Sequence, residues 1–426
     1  MTEFLIDAFF NEYLPAGGTE TNAVVTVRAT DTGTTGAPGG SPEPPAGRAE
    51  VIMVDTSNSM EGAPLREAKT ATAAAIDCLP DGVRFAVVAG NHDAELAYPA
   101  GPGLAVASPS TRAEARQAVS KLEAGGGTAM GTWIDLTTGL LRDEPGIAHA
   151  ILLTDGRNEH EEPAALDAAL ARAEGVFQCD CRGVGAYWEV AELRKIATVL
   201  LGTHDIVAEP SGLAADFARM MRDSLDKQVP EVALRIWTPE GAEVRLLKQM
   251  EPVLDLTGGR TEAGPRTGDY PTGSWGDESR DYHLAVRLAP GEVKEEVLAA
   301  RVTLLVGGEP AGQCLVTAQW TEDPARSTRI NPKVAEAIDE AELANAIEEG
   351  IDAFKARDIA TATDRFGRAV RLASESGNDE AVARLAALVD IEDAPTGRVR
   401  PKTAVEDMDL MILEARSSRV TRPRRD

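Results

Sequence analysis

Val51-Ile52-Met53-Val54 is a run of four apolar residues, and 83–89 and 147–154 carry similar runs. Such runs read as strands of a parallel sheet buried on both faces. Between them the apolar period lengthens. Leu65, Ala68, Ala71, Ala75 and Ile76 recur at helical spacing behind Pro64, which predicts a helix over 64–78. The same reading gives helices at 111–122, 129–142, 163–173, 189–200 and 211–226. Further strands fall at 175–183 and 203–207, with a short edge strand at 94–98 or 103–107. Strand and helix alternate throughout 48–226, so this region is expected to be a doubly wound α/β domain with right-handed crossovers.

The pattern differs on either side. Apolar residues at 6, 9, 10 and 13 fit a helix, and a strand over 3–6 fits equally well. Residues 22–29 alternate and are β-branched, which predicts a strand. Residues 30–47 are rich in Gly, Pro, Thr and Ser and read as a flexible loop. The region 229–322 holds short β-rich runs such as 232–237, 243–247, 282–288, 297–306 and 314–320. It reads as a small β-sandwich, which strand 22–29 is expected to join. The α/β domain would then be inserted into a β domain. Residues 333–390 read as helices over 333–356, 358–375 and 378–389. Residues 391–426 read as a polar linker and a basic tail.

Charge narrows the choice of partner. The 426 residues carry 69 acids against 43 bases, a formal net charge of −26. Binding a phosphate backbone needs a basic footprint, so nucleic acid is not expected as a partner. Four cysteines in a chain of this length do not form a disulfide framework. No apolar run of about 18 residues occurs, so no membrane span is expected. The first residues show neither a basic segment nor a long apolar core, so the expected location is cytoplasmic.

The candidate chemistry lies where the apolar runs end. Val54 is followed by Asp55-Thr56-Ser57-Asn58-Ser59, which puts a carboxylate and two hydroxyls on one turn at the carboxyl end of a strand. Open α/β sheets bind ligands at that edge. Hard oxygen donors suit Mg²⁺, Mn²⁺ or Ca²⁺. Gly125-Gly126-Gly127-Thr128 adds a glycine-rich loop with one hydroxyl, and the strand over 147–154 runs into Asp155-Gly156.

Together these residues resemble the metal-ion-dependent adhesion site of a von Willebrand factor type A domain: Asp-x-Ser-x-Ser, a loop Thr, and an Asp after a later strand. Asp55, Ser57, Ser59, Thr128 and Asp155 match in order and spacing, and the resemblance covers about residues 48–225. It implies a Rossmann-like sheet on which Ser57, Ser59 and Thr128 bind Mg²⁺ (or Mn²⁺ or Ca²⁺) directly and Asp55 and Asp155 act mainly through water. It also implies a protein partner that offers an Asp or Glu to the metal, and hence a scaffold or regulator in a multi-protein assembly. A more specific alternative is a helper subunit of an ATPase, as in chelatase-type complexes. Gly350, Ala362, Phe366 and Ala369 fall at the offsets of one tetratricopeptide unit, with Phe354 one place off; a docked helical hairpin accounts for the same pattern.

An enzyme would need a nucleophile, a base and a stabiliser. His92 and His160 lie in loops that could approach the metal edge, and surface loop histidines explain them as well. Asp55 could be the phosphoacceptor of a phosphohydrolase, but such enzymes need a second acid two residues on, where Ser57 stands. With no P-loop or GxSxG pattern either, the expectation is a binding module and not an enzyme.

Overall fold

The computed structural model describes residues 2–31, 47–185, 188–207, 210–402 and 405–416. The chain divides into two units. The first comprises residues 1–2, Asp31–Pro230 and Gly273–Asp277. Its seven-stranded sheet has His204–Val207, Gln178–Val184, Ile147–Thr154, Arg48–Asp55, Arg84–Gly90 and Ala94–Tyr98 in spatial order, with Ala105–Val106 also on Arg84–Gly90. The five strands from His204–Val207 to Arg84–Gly90 are parallel, and the last two strands join antiparallel. The sheet is thus the mostly parallel, doubly wound one that the alternation of strand and helix predicts.

All eight residues of Arg48–Asp55 are buried. On one face Ile52, Val54, Ile151 and Leu153 pack with Leu65, Ala68 and Ile76 of the helix Ala63–Cys78 and with Phe217, Met220 and Met221 of the helix Leu213–Leu225. Each of these side chains larger than alanine contributes roughly 1.5–3 kcal/mol by leaving water. The strand Arg48–Asp55 pairs with Arg84–Gly90 on one side and with Ile147–Thr154 on the other. The chain order therefore reverses beside Asp55, and a crevice opens there at the carboxyl ends of the strands.

The amino-terminal end of the same face is charged. His149 spans three strands: Nδ1 is 2.7 Å from Glu50 Oε2 and Nε2 is 3.1 Å from Asp180 Oδ2. Glu50 also accepts from Ser224 Oγ at 2.8 Å. Asp180 accepts from the Thr203 amide at 2.7 Å and the Thr203 hydroxyl at 2.6 Å. Burial alone would lower the His149 pKa. The Glu50 charge and the Asp180 hydrogen bond more than offset it, and the imidazole is pushed up to about 10.

The second unit comprises Glu3–Thr30, Glu231–Thr272 and Glu278–Asp426. It holds a five-stranded sheet ordered Thr2–Phe10, Glu20–Asp31, Glu278–Arg287, Glu243–Gln249, Leu254–Asp255. A six-stranded sheet is ordered Thr261–Gly264, Thr267–Trp275, Val229–Trp237, Glu296–Val306, Glu309–Thr321, Tyr13–Pro15. The strand Glu20–Asp31 runs antiparallel to Glu278–Arg287, with Ala23 opposite Leu284. The helices Pro332–Lys355, Ile359–Glu375 and Asp379–Leu388 are capped by Asn331, Asp358 and Asn378, whose side chains accept from backbone amides of the first turn. They share a core of Leu343, Ile347, Phe366, Val370 and Leu385.

Two segments depart from the sequence-based expectations. The helical alternative at the amino terminus is wrong: Thr2–Phe10 is a strand, and its residues alternate between half-buried and exposed up to Ala8. Residues 391–426 are not simply a polar linker and basic tail. Val389–Asp393 and Arg398–Pro401 form a hairpin, and Asp407–Arg416 is a helix that buries Met411, Leu413 and Ala415. Residues 417–426 lie outside the described residues, as do 32–46 of the expected loop. Gly273–Asp277 groups with the first unit, and Gly273–Trp275 also end the strand Thr267–Trp275, as the β-rich reading expects. There Gln178 Oε1 accepts from the Ser274 amide at 2.9 Å. Among the described residues no helix is long and apolar enough to cross a membrane.

Candidate metal centre

The apolar strand delivers Asp55 to its last position, where the side chain is fully buried. Asp55 Oδ1 accepts from the Ser57 amide at 2.7 Å, and Oδ2 accepts from the Thr154 hydroxyl. The neighbouring strand ends at Thr154, so Asp155 and Gly156 follow directly. Ser59 Oγ donates to Asp155 Oδ1 at 2.6 Å and lies 2.9 Å from Ser57 Oγ. Asp55, Ser57, Ser59 and Asp155 thus form one continuous polar chain.

Thr128 closes the set from the other side. A methyl group built on Gly156 would lie 3.1 Å from Thr128 Oγ1, 3.2 Å from Ser59 Oγ and 3.8 Å from Asp55 Oδ2. Three oxygens from three segments therefore face one small space above Gly156. All five residues singled out from the sequence come together here. Asp55, Ser57, Thr128 and Asp155 are buried, and Ser59 is exposed, so the cradle opens to solvent on its side.

The loops are fastened to one another through their backbones. Thr56 N donates to Gly90 O at 2.7 Å, Gly125 N to Thr56 O at 2.7 Å and Asn58 N to Gly126 O at 2.9 Å. The segment after Asp155 holds Thr128 in turn. His160 N donates to Thr128 O at 3.0 Å, and Thr128 N donates to His160 Nδ1 at 3.2 Å. The imidazole lies over Gly127, where any Cβ would come within 2.2 Å of the ring. At the start of the helix Met130–Leu141, the Met130 amide donates to Asn158 Oδ1 at 2.8 Å and the Gly131 amide to Glu161 Oε1 at 2.7 Å. Sequence reasoning missed Thr154, Asn158 and Glu161, which orient the site without facing the cradle. The only signal for them is their position within a few residues of Asp155. It did single out His160, whose ring braces the Thr128 loop.

Both carboxyl groups are disfavoured as anions by their surroundings. Burial raises the Asp55 pKa against the hydrogen bonds from Ser57 and Thr154. Burial pushes Asp155 up to about 6; the Ser59 hydrogen bond opposes the shift and the nearby Asp55 charge adds to it. Two desolvated acids beside three hydroxyls suit a hard divalent cation, which would favour their ionised forms. Among the described residues no three His, Cys, Asp or Glu side chains gather to hold a metal by themselves. A cation here would depend on hydroxyl oxygens and water, as the donor set of this cradle allows.

Comparison with known proteins agrees with this architecture. Residues 50–206 match the family model for the von Willebrand factor type A domain, and residues 371–417 match that for the von Willebrand factor type A C-terminal domain. The latter match spans the hairpin and final helix. The chain is 26% identical over 216 residues to the uncharacterised protein sll0103 of Synechocystis, a match covering 48% of this chain and 49% of that one. The ArnB paralog VWA2 of Sulfolobus acidocaldarius shares the fold over 98% of both chains, with a TM-score of 0.58 at 14% identity. The solved von Willebrand factor type A protein of Catenulispora acidiphila is 45% identical, with a TM-score of 0.91 over 99% of this chain and 97% of that one. On that likeness, the chain belongs to the von Willebrand factor type A family.

Proposed function

We propose that this protein is a metal-dependent protein-binding module, a scaffold or regulator in a multi-protein assembly. Ser57, Ser59 and Thr128 would hold Mg²⁺ or Mn²⁺ through their hydroxyls, and Asp55 and Asp155 would act through bound water. When bound, the cation supplies residual positive charge and an exchangeable position for a carboxylate. The observation that carries the reading is the convergence of Thr128 Oγ1, Ser59 Oγ and Asp55 Oδ2 on the space above Gly156.

The residues divide the work. Thr154 and the Ser57 amide fix the Asp55 carboxylate, and His160 fixes the Thr128 loop. Ser59 stands at the open side, where a partner would approach. A chain of net charge −26 repels acidic partners at long range, so attraction to an Asp or Glu must arise at short range in the cradle. Von Willebrand factor type A domains are often associated with ATPase complexes, which makes such a complex one candidate assembly. A phosphohydrolase is a poorer reading. Asp55 is fully buried, both its oxygens already accept hydrogen bonds, and Ser57 occupies the place of the second acid.

The test is partner affinity with Mg²⁺ and with chelator, for the wild type and for a Ser57→Ala, Ser59→Ala double variant. Chelator and the double variant should each abolish binding, and one acid should dominate an alanine scan of the partner. Undiminished binding in chelator would overturn the reading.

A further inference from the structure

The β-rich unit carries a second cluster that the metal edge does not use. Trp237 ends the strand Val229–Trp237, and its indole is half-buried. The Arg301 guanidinium carbon lies 5.4 Å from the ring centroid, and the Arg266 guanidinium carbon also lies 5.4 Å from it. Arg301 is the direct cross-strand partner of Trp237 on Glu296–Val306. Arg266 stands on the other flank, where its carbonyl accepts from the Thr238 amide at 3.1 Å. One indole is therefore bracketed by two cations, and both arginines are exposed.

Among the described residues no carboxylate pairs with either guanidinium. One acid on the neighbouring strand is already committed: Asp269 makes a two-pronged pair with Arg235, Nε to Oδ1 at 2.7 Å and Nη2 to Oδ2 at 2.8 Å. A guanidinium stacked on an aromatic face keeps its N–H donors in its own plane, free to grip an oxyanion. Stacking also orders the long side chains before any ligand arrives, which lowers the entropy cost of binding. On a chain with 69 acids and 43 bases, this is a local positive site on an acidic background.

We propose that Arg266, Trp237 and Arg301 form a binding site for an acidic peptide segment of a partner protein. The guanidinium carbons are no more than about 11 Å apart, twice the 5.4 Å distance to the shared ring. An extended peptide advances about 3.3 Å per residue. Two carboxylates three residues apart in a short flexible peptide, roughly 10 Å along the chain, fall within that upper bound and can each reach one arginine.

Trp237 supplies the readout. The other four tryptophans, Trp133, Trp188, Trp275 and Trp320, are at most 2% exposed, so acrylamide quenches Trp237 selectively. The full chain is titrated with a capped Gly-Glu-Gly-Gly-Glu-Gly peptide in chelator, and quenching and direct affinity are followed. The Glu peptide should protect the indole and its Gln counterpart should not. R266A or R301A should weaken binding at least fivefold, and the double variant should abolish it. The R266K, R301K double variant retains charge and stacking, so it also guards against a folding defect; it should bind at least fivefold more weakly, because lysine lacks the planar fork. Equal binding of the Gln peptide, or full binding by the lysine variant, would overturn the proposal. So would tenfold tighter binding of a phosphothreonine peptide, or salt-sensitive self-association that both arginines sustain, since each assigns the clamp to another occupant.

Discussion

Replacing Gly156 with alanine places one methyl group in the proposed cation cradle and changes nothing else chemically. Its carbon would sit 3.1 Å from Thr128 Oγ1 and 3.2 Å from Ser59 Oγ. These separations are tighter than ordinary carbon–oxygen contact, so both hydroxyls must retreat by a few tenths of an ångström. Gly156 does not have a left-handed backbone, so alanine adds no conformational strain there. Overpacking of this size typically costs about 1–3 kcal/mol, and the open side at Ser59 lets the hydroxyls move. The cation has less latitude. Mg²⁺ holds its oxygens at about 2.0–2.1 Å in near-octahedral geometry, and an apolar carbon facing the same oxygens displaces a ligand or a bound water. G156A should therefore lower Mn²⁺ affinity at least tenfold, or about 1.4 kcal/mol, while the thermal midpoint in chelator moves by only a few degrees. Calorimetric titration with Mn²⁺ and thermal unfolding of the same samples give both numbers. Unchanged Mn²⁺ affinity would refute the placement of the cation above Gly156.

The raised Asp155 carboxyl predicts a pH dependence. Its pKa near 6 means that a proton on Asp155 competes with the cation below that pH, so Mn²⁺ affinity should fall by up to about tenfold per unit beneath pH 6, and D155N should lessen that slope. His149 governs stability at the opposite end of the strands. Its folded pKa of about 10 lies above the ordinary 6.5, so its contribution is fully present below pH 6.5 and is lost as pH rises through 10. H149L removes the imidazolium between Glu50 and Asp180, leaving Glu50 to Arg48 at 3.6 Å and Asp180 to Thr203, and should cost about 3 kcal/mol at pH 7. Urea unfolding at pH 7 and pH 10 should show the variant's deficit shrinking at the higher pH, and an equal deficit at both would refute the ion-pair assignment.

The site residues were legible because they interrupt strong patterns. Asp55 and Asp155 each stop an apolar run, and a run that stops marks a strand end without any knowledge of its partners. Thr128 stood out against three glycines. Glu50, His149 and Asp180 were not legible as a group, because each looks like a polar break in a buried strand. They share one sheet face only through the parallel register that sets Glu50 beside His149. Thr2–Phe10 was ambiguous because apolar positions 6, 9, 10 and 13 satisfy a helical period, while pairing within the sheet makes the segment a strand. The segment 391–416 was hidden by its polarity. Its hairpin buries little, and the apolar face of its last helix amounts to a few residues, Met411, Leu413 and Ala415.

The most direct measurement is a Mn²⁺ titration followed by electron paramagnetic resonance of the free ion, on the full chain and on a Ser57→Ala, Ser59→Ala, Thr128→Ala triple variant. A cation held by these three hydroxyls predicts one tightly bound Mn²⁺ per wild-type chain. The triple variant should lose it while its circular dichroism stays unchanged. Equal stoichiometry and affinity in the folded triple variant would contradict the account.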